Sequence, residues 1–78
     1  MSEDLIRFIA EHLVNEVSAV QINTREAGKT VILELRVDKS DMGRVIGKNG
    51  RVANAMRDLL RVATENNRNS KRVILEIE

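Results

Sequence analysis

Two glycines separated by two residues, Gly47 and Gly50, mark the segment of this sequence best suited to holding a ligand. Glycine has no Cβ atom, so the main chain at both positions can take positive φ and approach a ligand closely. Lys48 and Asn49 between them are then expected to project outward. Because a helical pattern starts at Arg51, the amide groups of the turn and the positive end of that helix would both stabilise a phosphate. The spacing predicts a phosphate-binding turn.

Basic residues are concentrated around this turn. Residues 42–72 contain eight basic and two acidic side chains, a net charge of +6, whereas the rest of the chain carries a net charge of −5. This asymmetry indicates one face suited to a polyanion and another that repels it. The competing interpretation is solvated helix surface. Arg44 and Arg51 lie nearest the turn, and we expect them to widen the positive field without recognising base sequence.

A nucleotide-binding P-loop is the first alternative for these glycines, because Gly43 and Gly47 precede Lys48. A P-loop needs four residues between its glycines and a hydroxyl group after its lysine, which binds magnesium. This chain has three residues between the glycines and Asn49 after the lysine. The spacing and the chemistry therefore both argue against a P-loop.

Candidates for catalysis or metal binding are few. The sequence has no cysteine and one histidine, His12, which argues against disulfides and a structural zinc. His12 falls on an apolar helical stripe. Asp38 and Asp41 are spaced as helix caps, with Asp41 in the place of the usual capping-box glutamate, and not as an acid/base pair. We predict that the protein is not an enzyme and holds no metal or cofactor.

The elements that position the turn follow from hydrophobic periodicity. Helices are predicted over residues 3–14, 40–46 and 51–64, strands over residues 18–25, 30–37 and 72–78, and a polar loop over residues 65–70. The first helix should bury a stripe of Leu5, Phe8, Ile9, His12 and Leu13, and the last helix one of Val52, Met56, Leu59, Leu60 and Ala63. A glycine-containing turn at residues 26–28 predicts a hairpin.

The predicted order is α-β-β-α-α-β. The two helices between the second and third strands favour a parallel pair, while the hairpin is antiparallel. We therefore expect an α+β fold in one domain, residues 1–78, with a three-stranded mixed sheet and helices packed on one face.

The turn and its surroundings resemble the signature of the KH domain, an RNA-binding module whose Gly-x-x-Gly loop holds about four nucleotides. Val45 and Ile46 directly precede the first glycine, Arg51 follows the second, and helical patterns flank both sides. The order of elements is similar to the type II, or bacterial, KH fold. The resemblance implies single-stranded RNA as the ligand, with its backbone held by the turn.

In KH domains the bases occupy a groove beside the turn, which here would be bounded by residues 40–46, residues 51–64, the sheet edge and residues 65–71. The resemblance implies these groove residues: Gly43, Ile46, Ala53, Asn54 and Arg57. Ala53 and Met56 stand where the motif prefers bulky aliphatic residues, so the groove should discriminate less between bases. Phe8 is the only aromatic residue, and it is predicted on the first helix, so recognition by aromatic stacking is not expected.

The motif from Asp41 to Arg51 and the small size resemble the bacterial KhpA or YlqC family of stand-alone KH proteins. That resemblance implies a cytoplasmic RNA chaperone or post-transcriptional regulator that affects cell elongation and division. It also implies a homodimer, and a heterodimer with a larger multi-domain KH protein of the KhpB or Jag type. No apolar run approaches the ~18 residues that span a bilayer, so no membrane insertion is expected. The alternative is a protein-interaction or dimerisation module without direct RNA contact.

Overall fold

The computed structural model describes residues 2–65 and 71–78 and confirms the predicted α-β-β-α-α-β order. Its helices and strands are α1 (Ser2–Leu13), β1 (Gln21–Ala27), β2 (Thr30–Arg36), α2 (Met42–Ile46), α3 (Arg51–Glu65) and β3 (Arg72–Ile77). Three short 3₁₀ turns lie between them, at Val17–Ala19, Lys39–Asp41 and Lys48–Gly50. Within the described residues, no helix is long and apolar enough to cross a bilayer.

The three strands form a mixed sheet in the order β1-β2-β3, as predicted. β1 pairs with β2 in antiparallel register, from Gln21 opposite Arg36 to Ala27 opposite Thr30. β2 pairs with β3 in parallel register. The first strand starts three residues later than predicted, because the 3₁₀ turn Val17–Ala19 occupies its predicted start. It extends to Ala27, because the hairpin closes with only Gly28 and Lys29 and Gly28 takes a φ of +62°.

The hydrophobic core lies between one face of the sheet and the helices. Leu33, Leu35 and Leu75 are nearly inaccessible on that face, as the alternating pattern predicts, and they pack in one cluster with residues of all three helices. The central helix residues of this cluster are Ile6, Val45, Met56 and Leu60. Burial of these side chains fixes the positions of α2 and α3, and therefore of the turn between them.

The predicted buried face of α1 is wrong for two of its residues. Phe8 is 60 % exposed, and His12 is also exposed, with its Nδ1 atom 2.7 Å from the carbonyl oxygen of Phe8. Ile6, Ala10 and Val14 form the buried line instead. Apolar residues occur on more than one side of α1, so periodicity alone does not select the side that meets the sheet.

The predicted buried face of α3 is also partly wrong. Leu59 is 49 % exposed and Ala63 is exposed, whereas Ala53 is buried at 3 % exposure together with Met56 and Leu60. Ala53, Met56 and Leu60 form the buried line of α3. Helical spacing fits this line and the neighbouring one through Leu59, so periodicity alone does not select between them.

Candidate nucleic-acid interface

The turn at residues 47–50 begins where α2 ends. Gly47 has φ +76° and ψ 171°, and its N–H group donates to the carbonyl of Gly43 over 2.9 Å, which closes α2. Asn49 and Gly50 also take positive φ, at 57° and 76°. Three of the four residues in this turn thus occupy a backbone region that most side chains avoid, so the main chain changes direction within four residues.

Gly47 cannot be replaced by a residue with a side chain without a rearrangement. A Cβ atom there would lie 2.5 Å from Cγ2 of Val52 and 2.8 Å from its backbone nitrogen. Gly50 has more room, with Nδ2 of Asn54 at 3.8 Å as the nearest atom, and its requirement for glycine comes from φ. Close packing against α3 and positive φ therefore both require glycine at Gly47.

The amide groups of the turn are arranged differently from the expectation, because a 3₁₀ turn, Lys48–Gly50, precedes α3. The N–H group of Gly50 donates to the carbonyl of Gly47 over 3.1 Å. The first residues of such a turn, Lys48 and Asn49, have no acceptor within it for their N–H groups. Both side chains are exposed, so main-chain and side-chain donors are available to a ligand at the same place.

Asp41 holds the start of α2, the helix that leads into the turn. Its carboxylate is fully buried and accepts hydrogen bonds from the N–H groups of Asn15 and Glu16 over 3.1 and 3.0 Å. Nε of Arg44 lies 3.3 Å from the same carboxylate. Asp41 does not cap its own helix, so the predicted capping role is wrong, whereas Asp38 does accept from the N–H group of Ser40. Asp41 instead ties the end of α1 to the start of α2.

The hydroxyl and backbone N–H groups of Ser40 hold the pKa of Asp38 below its usual value, the hydroxyl contributing most. Hydrogen bonds to an ionised carboxylate favour the charged form. Asp38 is therefore used as a cap in the 3₁₀ turn that leads into α2.

Three predicted site residues share one flank of α3. Arg51, Asn54 and Arg57 are spaced by three residues and exposed. Arg57 donates from Nε to the carbonyl of Leu75 over 3.4 Å and from its Nη1 to Oδ1 of Asn54 over 3.2 Å. The turn is thus continued by a polar flank that reaches β3.

The other predicted groove residues are divided between surface and core. Gly43 is exposed and Ile46 is 37 % exposed on α2. Ala53 is buried, so it would shape a groove from beneath and not touch a base directly. Residues 66–70, which belong to the predicted groove boundary, lie outside the described residues.

A cleft of about 610 Å³ lies between the second half of α3 and β3. Its basic lining residues are Arg57, Arg61, Lys71 and Arg72, and its apolar ones include Leu60, Val73 and Leu75. Three of these four basic residues were not among the predicted site residues, although all of them fall within the positive segment 42–72. Two carboxylates, Asp58 and Glu65, also line the cleft. Apolar surface beside an excess of cations suits a base and its phosphate.

In the part of the chain that the structure describes, three cations of the turn and of α3 have no acidic partner, whereas Arg44, predicted to widen the positive field, is paired with Asp41. Ion pairs involve Arg61 with Asp58 at 3.6 Å and Lys71 with Glu26 at 3.0 Å. None involves Lys48, Arg51 or Arg57. The charges of these three side chains are therefore not offset by an ion pair.

The KH-domain family model of KhpA and KhpB matches residues 3–77. The chain belongs to this family. A relative named RNA-binding protein KhpA from Borreliella burgdorferi is 45 % identical over 74 residues, which cover 95 % of this chain and 88 % of the relative. Proteins of the same name from Caldanaerobacter subterraneus and Aquifex aeolicus are 43 % and 41 % identical, over 95 % and 96 % of this chain and 96 % and 92 % of their own lengths.

Membership of the KhpA/KhpB family confirms the resemblance noted in the sequence. The matched span includes the turn at residues 47–50 and the cleft between α3 and β3. The KhpA relatives are similar to this chain along nearly its whole length, so the family match does not depend on the glycine motif alone.

Proposed function

We propose that this protein binds single-stranded RNA as a KH domain, without enzymatic activity. The turn at residues 47–50 would hold the sugar-phosphate backbone, assisted by Lys48, Asn49 and Arg51. The bases would lie in the adjacent groove toward Asn54 and Arg57. The observation that carries the proposal is the backbone of Gly47, which combines positive φ with a closeness to Val52 that excludes any side chain. The names of the KhpA relatives support the same ligand.

Backbone and aliphatic contacts, and not aromatic stacking, fit the surface of this site. The only aromatic residue, Phe8, lies on α1, and the described lining of the cleft contains none. Few phosphate contacts are expected, and each contributes a slope of about −0.7 to the salt dependence of binding to a single strand. Affinity should therefore be modest and should fall with added salt.

The direct test replaces the two exposed residues of the turn with Lys48→Asp and Asn49→Asp. Two carboxylates would repel the phosphate, so binding of a fluorescent single-stranded RNA octamer should weaken about tenfold or more in an anisotropy titration at low salt. A matched control, Gln21→Asp with Lys29→Asp, makes the same change in net charge on the hairpin and should retain most of the affinity. Equal loss in both variants, with unchanged melting, would remove the turn as the phosphate site.

We also propose that the protein self-associates and pairs with a larger multi-domain KH protein of the KhpB or Jag type. Phe8, Leu59 and Val62 are 60 %, 49 % and 59 % exposed on α1 and α3, which supports an apolar contact with another molecule. Two linked modules raise the effective concentration for one RNA strand. Light scattering distinguishes this association from RNA binding, because an apolar contact does not weaken with salt.

In the cell we propose a cytoplasmic role as an RNA chaperone or post-transcriptional regulator, with effects on cell elongation and division. The resemblance to the KhpA family supports this assignment. Crosslinking the protein to cellular RNA and sequencing the attached fragments tests it, since transcripts unrelated to the envelope or to division would contradict the physiological part of the proposal.

A further inference from the structure

We propose that Arg57 makes the cleft between α3 and β3 select guanine over adenine, through the O6 and N7 atoms of the base. This inference rests on the proposed RNA binding and adds the identity of one base. The reason is that the hydrogen-bond acceptors of the cleft near Arg57 are already in use, whereas several donors are free.

β3 is an edge strand of the described sheet, so half of its backbone groups point away from β2 and toward the cleft. The N–H group of Arg72 donates to the carbonyl of Lys29 over 2.8 Å, and that of Glu78 to the carbonyl of Leu35 over 2.7 Å. Even-numbered residues therefore bond toward β2. Because backbone groups alternate along a strand, the N–H and C=O groups of Leu75 point the other way, toward the cleft.

Arg57 already donates hydrogen bonds to two acceptors at the level of Leu75 in the cleft. Its Nε–H group donates to the carbonyl of Leu75 over 3.4 Å, and its Nη1 donates to Oδ1 of Asn54 over 3.2 Å. Asp58, a carboxylate of the cleft lining, is 71 % exposed and paired with Arg61. Glu65, the other carboxylate of the lining, lies two turns beyond Arg57 on α3. Because each of these oxygens can accept a second bond, an amino group on a base would have to share an acceptor with Arg57 or Arg61.

Several N–H groups at this level of the cleft remain available to a base. A guanidinium group has five N–H bonds, so Arg57 keeps three after these two contacts, and the N–H group of Leu75 adds another donor. The cleft therefore presents mainly donors at this level. Guanine offers O6 and N7 as adjacent acceptors that match the planar fork of arginine, whereas adenine places an amino donor beside N7.

The experiment compares single-stranded octamers of adenosine that carry one guanosine, inosine or 7-deazaguanosine at the fifth position. The guanosine octamer should bind about tenfold more tightly than octa-adenylate. Inosine, which keeps O6 and N7, should bind like guanosine, and 7-deazaguanosine should lose most of the gain. Equal binding of all four octamers, or full gain with 7-deazaguanosine, would overturn the proposal.

Variants assign the preference to one side chain. Arg57→Met and Arg57→Lys should each remove the preference for guanosine, since the lysine keeps the charge but not the fork. Arg61→Met, which removes a charge one turn further along the same cleft, should weaken all octamers equally and keep the preference. A preference that survives in both Arg57 variants overturns the inference.

Failure of the underlying RNA binding would look different from failure of this inference. If the chain bound none of the octamers, the proposed function itself would be wrong. If it bound them all equally, and Lys48→Asp with Asn49→Asp abolished that binding, only the role of Arg57 would be wrong. Melting curves of each variant establish that the exposed substitutions leave the fold intact.

Discussion

The sheet and the glycine turn use their charged side chains in opposite ways. On the sheet, Arg25 lies 3.2 Å from Glu34 across β1 and β2, and Arg36 lies 3.0 Å from Glu78. The carboxylates of Glu34, Glu76 and Glu78 lie within 4.8 Å of one another, so nearby arginines reduce their mutual repulsion. Cations here act mainly on neighbouring acids of the same chain.

At the turn, two cations have no such neighbours among the described residues, whereas Arg44 on α2 is paired with Asp41. Lys48 and Arg51 are exposed and take part in no ion pair. A cation that already faces a carboxylate contributes little to binding a polyanion, because its field is partly cancelled. The placement of acids, more than the number of bases, therefore leaves cations at the turn, and not on the sheet, available to a polyanion.

The largest expected effect is from Gly47→Val, which should damage both folding and binding. The new Cβ would meet Val52, and a β-branched residue resists positive φ, so the free energy of unfolding should fall by about 3 kcal/mol or more. Urea denaturation followed by circular dichroism measures this loss.

The matched control is Gly43→Ala, at the glycine inside α2. A Cβ atom there meets nothing within 4 Å, and alanine favours a helix by about 0.5–1 kcal/mol over glycine. This variant should be at least as stable as the natural protein. Similar stability of the two variants would show that Gly47 does not occupy the constrained geometry described above.

The second effect concerns the buried carboxylate of Asp41 at the start of α2. Asp41→Ala would leave the N–H groups of Asn15 and Glu16 without their acceptor, at a cost of about 2–4 kcal/mol in the free energy of unfolding. Arg44→Ala removes only the exposed partner and should cost less than about 1 kcal/mol. Thermal and urea denaturation measure the loss of stability in each of these two variants. If they were equally destabilising, the carboxylate would act through Arg44 and not through the backbone of residues 15 and 16.

The smallest effects test the contrast between the two faces. Arg51→Ala should weaken RNA binding about threefold or more while changing the free energy of unfolding by less than about 0.5 kcal/mol. Arg36→Ala, on the sheet, should cost up to about 1 kcal/mol of stability and leave RNA affinity nearly unchanged. Anisotropy titrations measure the RNA affinity of both variants, and urea denaturation measures their free energy of unfolding. Equal losses of RNA affinity would mean that the paired and unpaired cations are equivalent.

Much of the fold follows from local sequence, because its signals are local. Val31, Leu33 and Leu35 alternate along β2, Val37 continues the pattern beyond its end, and that alternation identifies the face that meets the helices. The order of elements then determines the mixed sheet. The glycine spacing likewise identifies the turn, since positive φ is a property of individual residues.

The parts that sequence could not supply depend on contacts between distant residues. Asp41 bonds to the backbone 25 and 26 residues earlier in the chain, and no periodicity indicates such a partner. Arg57 reaches the carbonyl of Leu75, 18 residues later. The exposure of Phe8 has a related cause, because two sides of α1 are apolar and only the packing of the whole domain selects between them.

An NMR titration of the ¹⁵N-labelled protein with a single-stranded RNA octamer tests most directly whether the turn at residues 47–50 holds the RNA backbone. The amide signals of Gly47, Lys48, Asn49 and Gly50 should move together with those of Arg51 and Asn54, while the signals of the β1–β2 hairpin turn stay in place. If the octamer bound and the four amide signals of residues 47–50 did not move, the turn would not be the site that holds the RNA.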